Sequence, residues 1–106
     1  MNISEIIKAN RIDDDLIGVL HGFRRSMPVE CADGLRLSVQ ASENHYCDPK
    51  AVDGPWTSVE VGFPSARVEA LMPYAEDIYN PTETVYGYVP IAVVERIIDE
   101  HGGIKR

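Results

Sequence analysis

Residues 43–50 read ENHYCDPK and hold the densest set of reactive side chains in the chain. His45 and Cys47 stand two apart, so an extended backbone would point both to one side. A thiolate beside an imidazole is the beginning of a nucleophilic site, but that chemistry also needs an orienting third group and an oxyanion pocket. Asp48 follows Cys47 directly, too close to orient His45, and no motif supplies the pocket. A binding loop explains the same residues with fewer requirements. On that reading Glu43, His45, Tyr46 and Asp48 are contact residues, and Cys47, set among polar neighbours, is an incidental surface thiol. Cys31 belongs in or near a strand and is expected in the core. A third idea gathers Cys31, His45 and Cys47 on a zinc ion, with His21 or His101 completing the set. Structural zinc sites show two close ligand pairs, whereas this chain offers one HxC pair and a solitary cysteine. No metal or cofactor is expected.

The aromatic residues are the next candidates. Trp56 stands where a loop meets a strand, and Tyr86 and Tyr88 alternate along TVYGYV, which would put both on one face. Tyr46, Tyr74 and Tyr79 fall in loop-like segments. Tyrosine and tryptophan are enriched in binding patches, so Tyr46, Trp56, Tyr86 and Tyr88 are expected contact residues, with Asp53 and Glu60 adding acidic ones. The alternative for Tyr86 and Tyr88 is to cover one side of the sheet while Val85 and Val89 pack in the core.

Charge narrows the partner. The chain carries a net charge of −7, with 17 acidic and 10 basic residues. Residues 1–26 are neutral in sum, so the whole excess falls on residues 27–106. Such a surface repels nucleic acid and favours basic partners, and the same excess also serves solubility alone, as in many small acidic domains. The chain contains no GxGxxG, GxxxxGK[ST] or GxSxG motif. Arg24, Arg25, Arg36 and Lys50 could still gather round an anionic small ligand such as a nucleotide. Two cysteines do not make a disulfide framework, and no segment reads as a signal peptide or membrane span. The expected location is the cytoplasm.

The elements that must position these residues follow from periodicity. The length of 106 residues fits a single domain spanning 1–106. Ile3, Ile6 and Ile7 predict a first helix capped by Asn2 or Ser4. The apolar spacing of Leu16, Ile17, Leu20 and Phe23 predicts a second, although Gly18 and Gly22 weaken it and a strand over 17–23 competes. Asp33-Gly34 marks a hairpin turn, followed by alternation of Leu35, Leu37, Val39 and Ala41 with polar residues. A loop over 43–56 leads to a strand with Val59, Val61 and Phe63 on one face. ARVEAL predicts a short helix ending before Pro73. After a turn-rich connection and the TVYGYV strand comes a helix opened by Pro90. Ile91, Val94, Ile97 and Ile98 are its apolar stripe, and Gly102-Gly103 stop it. The order implies an α+β fold: an antiparallel sheet of about four strands, with N-terminal helices and a C-terminal helix on one face.

Four blocks of this chain, GLRLSVQASENHYCDPK, GPWTSVEVGFPS, LMPYAED and NPTETVYGYVPIAVVERIIDEHGG, resemble a group of small acidic proteins encoded by bacteriophages and prophages. The resemblance covers about residues 28–104 and leaves residues 1–26 as an N-terminal helical addition. It implies an antagonist of host antiviral defence and brings no catalytic residue with it. Two forms of antagonism are implied. One is stoichiometric protein inhibition of the anti-CRISPR kind, against a host defence protein with a basic nucleic-acid-binding surface. The other is sequestration of a cyclic or ADP-ribose-type signalling nucleotide, where a homodimer would supply the walls that one short chain lacks. We expect the first, without catalysis and without direct contact to nucleic acid or membrane.

Overall fold

The computed structural model describes residues 2–11 and 27–105. The expected second helix, and with it His21, Arg24 and Arg25, lies outside the described residues. Helix α1 (Ile3–Ala9) begins where Asn2 accepts the Glu5 N–H with its side chain, satisfying one orphan donor of the first turn. Strands β1 (Val29–Glu30) and β2 (Arg36–Gln40) form the hairpin around Asp33-Gly34, with Gly34 at φ +99°, a conformation in which only glycine is unstrained. Strand β3 (Ser58–Gly62) pairs with β2, and β4 (Val85–Pro90) with β3. The result is a four-stranded antiparallel sheet in sequence order, with helices at both ends of the chain, as the α+β pattern implies.

Registered pairs share a face, so the ladder fixes the core. Val29 faces Leu37, Val39 faces Val61, Val59 faces Val89 and Val61 faces Tyr86, all buried. Ile3 and Ile7 of α1 join this cluster, as do Val94, Ile97 and Ile98 of helix α2 (Ile91–Glu100). Each such side chain contributes roughly 1.5–3 kcal/mol on removal from water. The expected short helix is a 3₁₀ turn over Glu69–Tyr74. It takes in Pro73 rather than stopping before it, because a short, two-turn 3₁₀ segment tolerates the missing N–H. Its Leu71 closes the core between β4 and α2. Past α2, Ala32 N–H bonds Gly103 O, Asp33 N–H bonds His101 O, and the Asp33 carboxylate meets His101 Nδ1 at 2.5 Å. These contacts tie the hairpin turn to the C-terminal end of α2.

Two departures from simple alternation shape the surface. The β3–β4 register slips between Val59 and Val61: one residue, Glu60, is opposed by two, Gly87 and Tyr88. Tyr88 sits at φ +54° within this bulge. The extra residue breaks the period of two, so Tyr86 and Tyr88 do not share a face as expected: Tyr86 is fully buried and Tyr88 is 44% exposed. Phe63 takes φ +49° just after β3 and turns outward, leaving Val59 and Val61 in the core without it.

Candidate functional site

The loop after β2 lies against β3 and β4 and is held by its polar backbone. Asp48 N–H donates to Ser58 O, Thr57 N–H donates to Asp48 O, and Tyr46 O accepts the Tyr88 N–H that the bulge frees from the ladder. His45 is buried and bonds Ser42 Oγ through Nδ1 at 2.7 Å; the tautomer sets the direction. Burial holds its pKa below the ordinary imidazole value, Arg11 adds to this and Glu43 opposes it. Cys47 is fully buried rather than at the surface, and its thiol points to Ser42 O at 3.2 Å and Pro49 O at 3.5 Å. Neither contact is a base that could take the proton, and burial pushes the thiol pKa up. His45 and Cys47 therefore serve the loop's interior and do not form a dyad. Cys31 is also fully buried, at the far end of the hairpin beside Ile104. No three His, Cys, Asp or Glu side chains gather in a metal-holding group among the described residues.

The nine expected contact residues separate by depth. Tyr46, Asp48, Asp53 and Tyr88 are exposed and Glu43 is half-buried. His45, Trp56, Glu60 and Tyr86 are buried. Trp56 is a core residue because its N–H reaches back to Ser4 Oγ of α1 and its indole N–H to Ala51 O; the Arg11 guanidinium lies 5.4 Å from its ring centroid. Tyr86 is anchored by its hydroxyl, which donates to Pro81 O. Glu60 is covered because the loop lies over it, and its carboxylate accepts the Tyr46 N–H at 3.4 Å. Burial raises the Glu60 pKa, Glu76 raises it further, and the Tyr46 N–H and Lys50 act the other way.

Two of the four exposed contact residues, Tyr46 and Tyr88, form a pair. The rings of Tyr46 and Tyr88 lie 6.1 Å apart at a tilt of 39°. Lys50 clasps them: its Nζ donates to His45 O and to Tyr88 Oη, both at 3.0 Å, and stands 5.8 Å from the Tyr46 centroid and 5.1 Å from that of Tyr88. The hydrogen bond to Tyr88 holds the Lys50 pKa above its ordinary value. Beside the pair, residues 75 and 76 run along the outer edge of β4, where Ala75 bridges Tyr86 and Glu76 N–H bonds Val85 O. Between them opens a groove of about 400 Å³ whose lining includes Tyr46, Gly87, Tyr88, Pro73, Tyr74 and Glu76. The loop tyrosines were legible as candidates, but Glu76 carried no signal in the sequence, because a bulge and an edge contact bring it there. No helix of the described residues is long and apolar enough to cross a membrane. Comparison with family models, curated proteins and solved structures gave no match.

Proposed function

We propose that the protein is a non-catalytic antagonist that binds one host defence protein stoichiometrically and covers a basic, nucleic-acid-binding surface on it. The observation that carries this reading is the exposed Tyr46–Tyr88 pair, held by Lys50 at a bulge where Tyr88 adopts φ +54°. A tyrosine in the left-handed region costs about 1–2 kcal/mol, and such strain persists where the surroundings enforce it, often at functional sites. Rigid aromatic anchors lose little entropy on docking and dominate interface energetics. The net charge of −7 supplies the complementary field that steers a basic partner.

Nucleotide sequestration would draw on the same rings as a stacking platform. It is the weaker reading, because the groove beside them is lined by Glu76 and by no basic side chain among the described residues. The test is quantitative capture from bacterial lysate with the wild type, a Tyr46→Ala/Tyr88→Ala double variant and Tyr79→Ala, which truncates an 86%-exposed tyrosine elsewhere. The expected result is a stoichiometric protein partner lost with the double variant, kept with Tyr79→Ala and weakened by salt. Equal capture by the double variant, or a nucleotide in the denatured eluate with no protein partner, would overturn the proposal.

A further inference from the structure

We infer that the groove beside the β4 bulge receives a guanidinium group, the side chain of an arginine presented by the partner's basic surface. The source of the arginine rests on the docking reading above; the chemistry rests on the groove itself. Its walls are aromatic, formed by Tyr46, Tyr74 and Tyr88. The π faces of such rings attract cations, and the Tyr46–Tyr88 pair already holds one, the Lys50 ammonium. Lys50 does not line the groove, although its ammonium meets two of the same rings. The one charged side chain in the lining, among the described residues, is Glu76. Its backbone is fixed beside the groove by the N–H bond to Val85 O.

A groove lined by three tyrosines and one acidic residue suits a planar cation. A guanidinium can stack on a ring while two of its N–H groups meet the carboxylate in parallel; an ammonium offers neither the flat face nor the fork. A phosphate would meet Glu76 with like charge. A neutral apolar side chain would strip water from the carboxylate without replacing its hydrogen bonds. The volume of about 400 Å³ falls in the range of small-ligand sites and leaves room for backbone on either side of the arginine.

The experiment is a ¹H–¹⁵N NMR titration of the full chain with acetyl-Gly-Arg-Gly-amide, and with the same peptide carrying lysine or citrulline. The expected result is saturable, millimolar shifts of the Glu76, Gly87 and Tyr88 amides with arginine. Binding should be roughly threefold or more weaker with lysine and lost with citrulline, as loss of charge and fork geometry requires. Glu76→Gln should weaken the arginine peptide by about fivefold or more, the scale of a charge-assisted hydrogen bond; it keeps the backbone N–H to Val85. If that variant does not fold, the three peptides on the wild type still decide. No saturable shift with arginine, equal shifts with citrulline or lysine, or shifts centred away from the groove would overturn the inference. The two proposals fail separately. A partner captured through Tyr46 and Tyr88 while the arginine peptide is silent sinks the arginine site alone. A peptide that binds the groove while the double alanine variant still captures the partner sinks the docking reading alone.

Discussion

The thiol of Cys47 faces two carbonyl oxygens and has no access to solvent. Cys31 is equally enclosed, and burial raises the pKa of both, with Asp33 adding to the effect at Cys31. Reactivity of a cysteine requires thiolate and access together, and these two have neither. Both should therefore resist an aromatic disulfide reagent such as DTNB in the native protein at pH 8. Two equivalents should react at once in 6 M guanidinium chloride. Rapid labelling of one thiol in the native state would show that the loop opens and would restore Cys47 as a chemical candidate. The same residue-level logic applies to His45, whose neutral ring fills a buried position and bonds a serine that is itself fully buried.

The bulge in β4 is the element that turns one residue of a core strand out to the surface. By adding one residue opposite Glu60 it keeps Tyr86 and Val89 inside, turns Tyr88 out and frees the amide that fastens Tyr46. Its cost falls on Tyr88, and asparagine adopts the left-handed region more readily than tyrosine. Tyr88→Asn should thus melt at or above the wild-type temperature, within about 1 kcal/mol of stability, while losing partner capture. A destabilisation beyond about 2 kcal/mol would mean that the ring holds the fold together rather than serving a partner. Elements with a local signal were legible in the sequence: the Asn2-capped helix, the Asp33-Gly34 turn, the Val59/Val61 alternation and the Val94/Ile97/Ile98 stripe. The site was legible only in its loop tyrosines and acids. Trp56 and Cys47 look like surface residues in a polar loop; Trp56 is bonded to Ser4, 52 residues away, and Cys47 turns inward onto Ser42 O within its own segment. Tyr88 and Phe63 escape the period of two through single positive-φ residues that no pattern of apolar spacing marks.

At the scale of the whole molecule, the net charge of −7 favours encounter with a basic partner, and Glu60 adds a buried acid behind the tyrosine pair. His45, Asp33 and Glu60 are three of the groups through which stability follows pH; Glu69 and Asp77 are held low as well. His45 has a depressed pKa, so below about 6.5 the unfolded chain takes a proton that the folded one refuses, and stability falls with pH. Asp33 is held low by the Leu35 N–H and then by His101; its stabilisation is present above the ordinary aspartate value near 3.9 and is lost as pH falls through the folded value. Glu60 acts oppositely. Its folded pKa is raised, chiefly by burial, so its contribution is complete below the ordinary glutamate value near 4.3 and is lost as pH rises through the folded value. Once pH exceeds that folded value, the fold carries an ionised, buried carboxylate at a net cost. Glu60→Gln should remove that cost while keeping an oxygen for the Tyr46 N–H. Urea unfolding of both proteins between pH 4 and 7.5 should place the glutamine variant above the wild type at pH 7. The gap should close as pH falls toward 4. A gap independent of pH would assign the difference to packing, and a less stable variant at pH 7 would mean that the carboxylate's interactions with Lys50 and the Tyr46 N–H outweigh its burial. With the expected gap, a neutral residue at position 60 gives the steadier fold. A buried acid held there against stability belongs with the strain at Tyr88, as a second expense of stability beneath the proposed docking surface.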